Sequence, residues 1–113
     1  MRGLTVRWSL AEAPAESLDE LRDYVEDVSH SRFSELSGLR FKAWRARSGE
    51  WFEGTYVFAD DAARAQFQRG FESSAGTSPV SKILGRSPSL IEPCEIVAVA
   101  EGAAGFRASA RLD

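Results

Sequence analysis

Few side chains in this sequence have the chemistry of a catalytic or ligand-binding group. Cys94 is the only cysteine and His30 the only histidine, so one chain can form neither an internal disulfide nor a structural zinc site. We expect Cys94 to be a small buried side chain. On a helical wheel, His30 lies about 130° from the apolar stripe of its helix, which predicts a position facing solvent if the helix is regular there. A break at Ser29-His30-Ser31 would reorient it, and we expect the regular helix.

Two aromatic residues combine a large apolar body with a polar tip. Trp44 offers an indole N–H and Tyr56 a phenolic O–H, a combination that suits an apolar pocket that must orient a polar ligand. Aromatic residues are also common in strands for packing alone. A place in the core or in an interface is therefore the alternative for both residues.

Several charged residues allow both a functional and a structural interpretation. Glu53 is either a base at a pocket mouth or a surface carboxylate that faces Arg45 across a hairpin, and we expect the second. Asp60 and Asp61 are expected to cap a helix. The basic side chains that could hold an anionic ligand, or could simply be solvated, are Arg45, Arg47, Lys82 and Arg86.

The first half of the chain contains three predicted strands and one helix. Alternation of apolar and polar residues from Leu4 to Leu10 predicts a half-buried strand. The capping-box spacing from Ser17 to Glu20 predicts the start of a helix that Gly38 ends. A hairpin comes next, with strands at 39–47 and 51–59 and a turn at Ser48-Gly49-Glu50.

The second half is predicted to add a helix and a strand. The helix begins at Asp60 or Asp61 and ends before Gly76. Residues 73–93 form a long connection in which 79–84 has helical spacing. The sequence from Cys94 to Glu101 predicts the last strand, and residues 102–113 a flexible tail. The folded domain is thus expected to span residues 1–101.

The order βαββαβ predicts an α+β, ferredoxin-like fold with an antiparallel sheet and both helices on one side. Four polar residues give the first two strands a polar face: Thr5, Arg7, Arg40 and Lys42. The third strand has aromatic or apolar residues on both faces, and an exposed aromatic patch usually marks an association surface. We therefore expect a homodimer.

Composition narrows the range of partners. The net charge is −3 and the pI about 5.2, and the basic residues do not cluster, which argues against a nucleic-acid partner. No apolar run approaches the about 20 residues of a membrane span, and no secretory signal is evident. We expect a cytoplasmic protein without a membrane partner.

Two segments resemble one known family. They are Gly38-Leu39-Arg40-Phe41-Lys42-Ala43-Trp44 and Glu53-Gly54-Thr55-Tyr56-Val57-Phe58-Ala59-Asp60. The pair resembles the YdhR-like monooxygenases of the dimeric α/β barrel superfamily, in which a Gly-aromatic-x-x-Lys-x-Trp strand precedes a Gly-x-Tyr-x-Phe-x-Asp strand. Leu39 departs from the aromatic position of the first motif. The resemblance covers most of residues 4–100.

This resemblance implies a homodimer with a ligand cavity between sheet and helices in each subunit. Related enzymes oxygenate electron-rich aromatic rings with molecular oxygen and without metal or flavin, so no cofactor is expected. Trp44 and Tyr56 would be catalytic, and the residues that contact a small aromatic, phenolic or polyketide-like substrate would be Trp44, Tyr56, Phe58 and Phe41. Members that degrade haem use a histidine on the second helix, which this sequence lacks. The alternative is a non-catalytic small-molecule-binding protein or a polyketide cyclase-like protein on the same scaffold.

Overall fold

The computed structural model describes residues 1–112, and its order of elements is the predicted one. In chain order these elements are β1 (Arg2–Ser9), α1 (Ser17–Tyr24), a π-helical turn (Val25–Ser29), α2 (His30–Ser34), β2 (Leu39–Arg47), β3 (Trp51–Phe58), α3 (Asp61–Ser73), a 3-10 turn (Ala75–Thr77), α4 (Pro79–Leu84), β4 (Leu90–Glu95) and a 3-10 turn (Ala110–Leu112). The four strands form one antiparallel sheet in the order β2-β3-β1-β4. The predicted ferredoxin-like α+β fold is confirmed.

The core lies between one face of the sheet and the helices, and we call this the helix-facing side. Leu4 and Val6 of β1 are completely buried there, beside Phe58 of β3 and Leu21 of α1. Side chains alternate between the two faces of a strand. Strand residues at the alternate positions, such as Arg7 on β1 and Glu53 on β3, therefore lie on the opposite side of the sheet, which we call the open face.

The first predicted helix corresponds to α1, the π-helical turn and α2 together, which we call the first helix. It differs from the sequence prediction at its start and in its middle. The capping box at Ser17 is not formed, because Glu16 occupies the N-cap position and has no side-chain cap. Between α1 and α2, the His30 N–H donates to the Val25 carbonyl, five residues back. Such a π-helical turn contains one residue more than a regular turn and rotates the next part of the helix by about 100°.

Gly38 joins the first helix to β2 at a point where no other residue fits easily. Its φ is +85°, and a Cβ at this position would lie 2.8 Å from the Cβ of Ala63 on α3. The Gly38 carbonyl also accepts a 2.8 Å hydrogen bond from the Ala59 N–H. The loop is thus pressed against the beginning of α3, as only glycine allows.

The second predicted helix is α3, which begins and ends as the sequence predicts. Asp60 is the N-cap of α3, and its carboxylate accepts a hydrogen bond from the Ala63 N–H at 2.9 Å. The long connection contains the predicted short helix α4, which starts at Pro79 and ends at Gly85 with φ +67°. These two elements close the end of the core around Trp8, whose Nε1 donates to the Ser81 Oγ at 3.0 Å.

The last strand lies earlier than predicted. β4 spans Leu90–Glu95, not 94–101, because it pairs with β1 from Arg7 back to Arg2 and then runs out of partner. Within the described chain, only the bond from the Ile96 N–H to the Met1 carbonyl continues the ladder. Val97 beyond it is 91% exposed. Cys94 is exposed as well, contrary to expectation, because it lies on this edge strand.

The described part of the C-terminal tail contacts the domain at two places. The ring of Phe106 lies 5.5 Å from that of Phe41 on β2. Arg111 forms ion pairs with Asp23 at 2.7 Å and Asp27 at 3.1 Å on the first helix. The last residue of the predicted tail, at position 113, lies outside the described residues. Within residues 1–112, no helix has the length and apolar character to cross a membrane.

Candidate functional site

A cavity of about 400 Å³ lies between the helix-facing side of the sheet and the helices. This volume is in the range of about 300–1,000 Å³ that is common for small-molecule sites. Its aromatic wall comes from β1, β2, β3, the first helix and α3, and consists of Trp8, Tyr24, Phe33, Trp44, Phe52, Tyr56, Phe67 and Phe71. Hydroxyl groups border it at Ser29, Ser74, Thr77 and Ser78. An aromatic ligand would fit these surroundings.

Lys42 projects into this aromatic cavity. Its Nζ lies 3.3 Å from the centroid of the Phe33 ring, 4.2 Å from that of Tyr56 and 4.5 Å from that of Trp44. The same Nζ donates a hydrogen bond to the Tyr56 hydroxyl at 2.9 Å. The amine of Lys42 is therefore surrounded by aromatic rings, and its hydrogen bond to the Tyr56 hydroxyl holds it in place.

Strand pairing explains this position of Lys42. The β2–β3 register sets Lys42 opposite Tyr56 and Trp44 opposite Gly54, so all four belong to the helix-facing side. The predicted polar face of the first two strands included Lys42 beside Thr5. That prediction is wrong for Lys42, since Thr5 pairs with Thr55, which points away from the helices.

Burial changes the protonation of the Lys42–Tyr56 pair. Desolvation, reinforced by the positive charge of Arg32, lowers the pKa of Lys42 from 10.5 to about 6. The ring faces around Nζ offset part of this penalty because they attract a cation. Desolvation also raises the pKa of the Tyr56 hydroxyl well above its usual value. At neutral pH, the cavity therefore holds a largely neutral amine beside a protonated phenol.

Gly54 makes room for this pair on the floor of the cavity. A Cβ at Gly54 would meet Tyr56 Cε1 at 3.1 Å and Lys42 Cε at 3.2 Å. Contacts this short would displace one of the two side chains. The glycine of the Gly-x-Tyr motif thus keeps open the space in which the lysine and the tyrosine meet.

Arg32 brings a positive charge to the cavity. It lies on α2, is exposed, and borders the cavity beside Phe33. Its guanidinium carbon stands 4.9 Å from the centroid of the Phe33 ring. Among the described residues that line this cavity, none is acidic. The site is therefore basic as well as aromatic.

His30 does not face solvent as predicted. Its ring is partly buried and stacks on Trp44, with centroids 5.9 Å apart and planes inclined by 27°. The π-helical turn directly before it causes this difference, because the additional residue turns His30 toward the sheet. The helical wheel assumed a regular helix and so missed the contact.

The structure separates the four predicted site residues. Trp44 and Tyr56 both line the cavity. Phe58 is 1% exposed and stacks beneath Tyr56 at 5.9 Å, in the core. Phe41 lies on the open face, since it is next to Lys42 in the strand. Its neighbour there is Phe106, so Phe41 does not contribute to this cavity.

A second cavity, of about 650 Å³, lies between β2, the first helix and the tail. Lys42, Trp44 and Phe52 border both cavities. His30 borders only the second of the two, with residues 106–110 of the tail on its other side. Trp44 thus forms part of the wall of both cavities.

The open face has a charged cluster of its own. Glu53 is 1% exposed and accepts hydrogen bonds from Arg7 at 2.7 Å, Arg45 at 2.7 Å and Thr55 at 2.9 Å. The predicted Arg45 partner is confirmed, but the surface location of the carboxylate is wrong. Burial would raise the pKa of Glu53, yet these hydrogen bonds outweigh it and hold the pKa below its usual value. The cluster is a structural ion-pair network.

The remaining charged candidates lie away from the aromatic cavity. Arg47 pairs with Glu50 in the hairpin turn at 3.0 Å. Arg86 donates to the Ala11 carbonyl at 2.8 Å. Lys82 is exposed on α4. In the described part of the chain, no three His, Cys, Asp or Glu residues are grouped so that they could hold a metal ion.

No family model matches this chain, and no curated protein matches it. Among solved structures, the chain is similar to the crystal structure of the NE2512 protein of unknown function from Nitrosomonas europaea. The two chains are 23% identical, with a TM-score of 0.64 over 90% of this chain and 94% of the other. At this identity the likeness shows the shared fold.

Proposed function

We propose that this chain is a cofactor-independent monooxygenase that acts on a small phenolic or polyketide-like aromatic compound. One observation carries the proposal: the Lys42 Nζ, with its pKa lowered to about 6, is fixed 2.9 Å from the Tyr56 hydroxyl inside an aromatic cavity. The resemblance to the YdhR-like monooxygenases supplies the reaction class.

The lysine and the tyrosine have complementary roles in this proposal. A neutral Lys42 accepts the proton of a phenolic hydroxyl, as a general base with a pKa near neutrality does efficiently. The Tyr56 hydroxyl accepts a hydrogen bond from Nζ and keeps its own proton, because its pKa is raised. It can donate that proton in a hydrogen bond to the developing phenolate oxygen.

The oxidation then depends on the electron-rich phenolate. For an anthrone-like substrate, the activated ring CH₂ carbon forms a bond to molecular oxygen, and the O–O bond breaks. One oxygen atom remains on that carbon as a carbonyl group, and the other leaves as water with the two hydrogens of the CH₂ group. The substrate supplies the electrons, and the aromatic wall keeps bulk water from the reactive carbanion.

Oxygen uptake with anthrone or a hydroquinone tests the proposal. The wild type should consume oxygen faster than the spontaneous reaction, and Lys42→Met should lower the enzymatic rate by about 100-fold, the usual contribution of a general base. Lys82→Met is the matched control, because Lys82 is the other lysine and is exposed on α4. Uptake that equals the spontaneous rate across a panel of phenols would contradict the oxygenase and favour the binding protein.

We also propose that the chain forms a homodimer through the open face and the segment after β4. The support is the chemistry of that surface: Val97 is 91% and Val99 45% exposed in a segment rich in β-branched residues. The open face carries the half-buried Trp51 at the other end of the sheet, where Arg7 lies 4.2 Å from its ring. Sedimentation at micromolar concentrations should show a dimer, and a stable monomer would contradict the proposal.

A further inference from the structure

We propose that the aromatic cavity takes a ligand that carries an anionic group, such as a ring carboxylate, and that Arg32 selects it. This inference deepens the proposed function, on which it rests, by naming the substrate class. It depends on the distribution of charge around the cavity.

The cavity has basic side chains and no acidic partner for them. Lys42 and Arg32 both line it, and none of the other described lining residues is an aspartate or a glutamate. The same chain pairs several of its other basic groups, for example Arg45 with Glu53 and Arg111 with Asp23. The lining of this cavity is therefore free of carboxylates although the net charge of the chain is −3.

The two basic residues occupy different depths of the cavity. Lys42 is partly buried among three rings and bonded to Tyr56. Arg32 is exposed at the mouth, and its described contact is with the face of the Phe33 ring, at 4.9 Å. Its N–H groups are thus available to a ligand carboxylate, which a guanidinium binds through two parallel hydrogen bonds.

This arrangement orients a ligand with two polar ends. The anionic group would pair with Arg32 at the mouth, while the ring lies against Phe33, and the phenolic hydroxyl would reach Lys42 and Tyr56. The hydroxyl groups of Ser74 and Thr77 lie along another part of the wall. An uncharged phenol would gain the same ring and hydroxyl contacts but would leave Arg32 without an anionic partner.

Calorimetry with a matched pair of naphthalenes tests the inference. We would titrate the wild type with 6-hydroxy-2-naphthoate and with its neutral amide, 6-hydroxy-2-naphthamide. The carboxylate should bind about tenfold more tightly, as expected of a charge-assisted pair. Arg32→Gln should reduce the affinity for the carboxylate about tenfold and change the affinity for the amide much less, so that the preference is lost. Arg69→Gln, an exposed arginine of α3 outside the cavity lining, should change neither affinity.

The other possible results distinguish a failure of this inference from a failure of the proposed oxygenase activity. Equal affinity for both compounds in the wild type would exclude an anion-selecting site and leave the oxygenase proposal standing. A preference that persists in Arg32→Gln would remove the role of Arg32. No binding of either compound would overturn the inference together with the proposed site. A carboxylate preference without oxygen uptake would keep the ligand class and contradict the oxygenase.

Discussion

Lys42 and Tyr56 face each other on neighbouring strands, and the lysine Nζ donates a 2.9 Å hydrogen bond to the tyrosine hydroxyl. This pair joins the fold to the proposed chemistry. Antiparallel pairing of β2 and β3 sets the register, Gly54 leaves the space, and the surrounding rings remove water from both polar groups. Burial thereby lowers the pKa of an amine that is normally solvated and charged.

Lys42→Met should stabilise the protein at pH 7 by about 1–3 kcal/mol, because an apolar side chain of similar length suits the aromatic surroundings better. The unfolded chain protonates Lys42 below a pH of about 10.5, whereas the folded chain does so only below about 6. Wild-type stability should therefore rise with pH between these two values. The advantage of the variant should shrink toward pH 10.

Urea unfolding of both proteins between pH 6 and 10 measures this difference. Lys82→Met serves as the control, since Lys82 is exposed and its removal should leave the pH dependence unchanged. A Lys42→Met variant that is less stable than the wild type at pH 7 would mean that the charged lysine stabilises the fold.

Tyr56→Phe should remove the hydrogen-bond acceptor of Lys42 and leave the packing of the ring against Phe33 and Phe67 unchanged. The expected loss of stability is about 1 kcal/mol, the net value of one such bond. Oxygen uptake should fall by a much larger factor, because the phenolate loses its donor. Circular dichroism and thermal melting check the fold. An unfolded variant would show that the hydroxyl is structural.

Glu53→Gln should destabilise the protein at pH 7 by about 2–4 kcal/mol, because it removes the carboxylate that two arginines share. The folded-state pKa of Glu53 lies below 4.5, the value of the free side chain. Its contribution is therefore present above about pH 4.5 and is lost as the pH falls below that value. Urea unfolding at pH 7 and pH 3 should show a smaller difference between the two proteins at pH 3 than at pH 7. An equal difference at both pH values would contradict the ion-pair account.

Gly38→Ala should be more destabilising than Gly49→Ala. Both glycines have positive φ, +85° and +75°, so each substitution includes the conformational penalty of about 1 kcal/mol. Only at Gly38 would the new Cβ also meet another atom, Ala63 Cβ at 2.8 Å. The double variant Gly38→Ala/Ala63→Gly should recover part of the loss. Equal melting temperatures for the two single variants would show that the loop moves freely away from α3.

The elements of the fold could be read from local patterns. Alternation along β1, the Gly49 turn of the hairpin and the Asp60 cap are all signals that depend on neighbouring residues, and the structure has each of them. The end of β4 could not be read in this way. It depends on how far β1 extends as a partner, which is a property of two distant segments.

The site was predictable only in part for the same reason. Trp44 and Tyr56 have the polar tip and the apolar body that a pocket residue needs, and both line the cavity. Lys42 is predicted on a solvated face, because lysine is rarely buried. Its alternation with Trp44 was the signal that could have corrected this, since residues two apart share a face.

The first helix shows a further limit of sequence patterns. A wheel drawn at a constant 100° per residue carries His30 away from the sheet, and the π-helical turn at Val25–Ser29 brings it back onto Trp44. Arg32 reaches the mouth of the cavity on the same α2 segment. The Ser-His-Ser sequence at 29–31 is a weak sign of such a break, and the regular helix was preferred to it. The position of His30 was therefore predicted wrongly, and Arg32 was not singled out.

The pKa of Lys42 is the quantity on which the proposed chemistry depends most directly. The chain has only two lysines, Lys42 and Lys82, so selective ¹³C labelling of lysine Cε gives two signals, and Lys82→Met assigns them. A titration by NMR between pH 5 and 11 should show Lys42 changing at about pH 6. A Lys42 signal that titrates only near pH 10 would mean that the amine is charged at neutral pH and cannot act as the base.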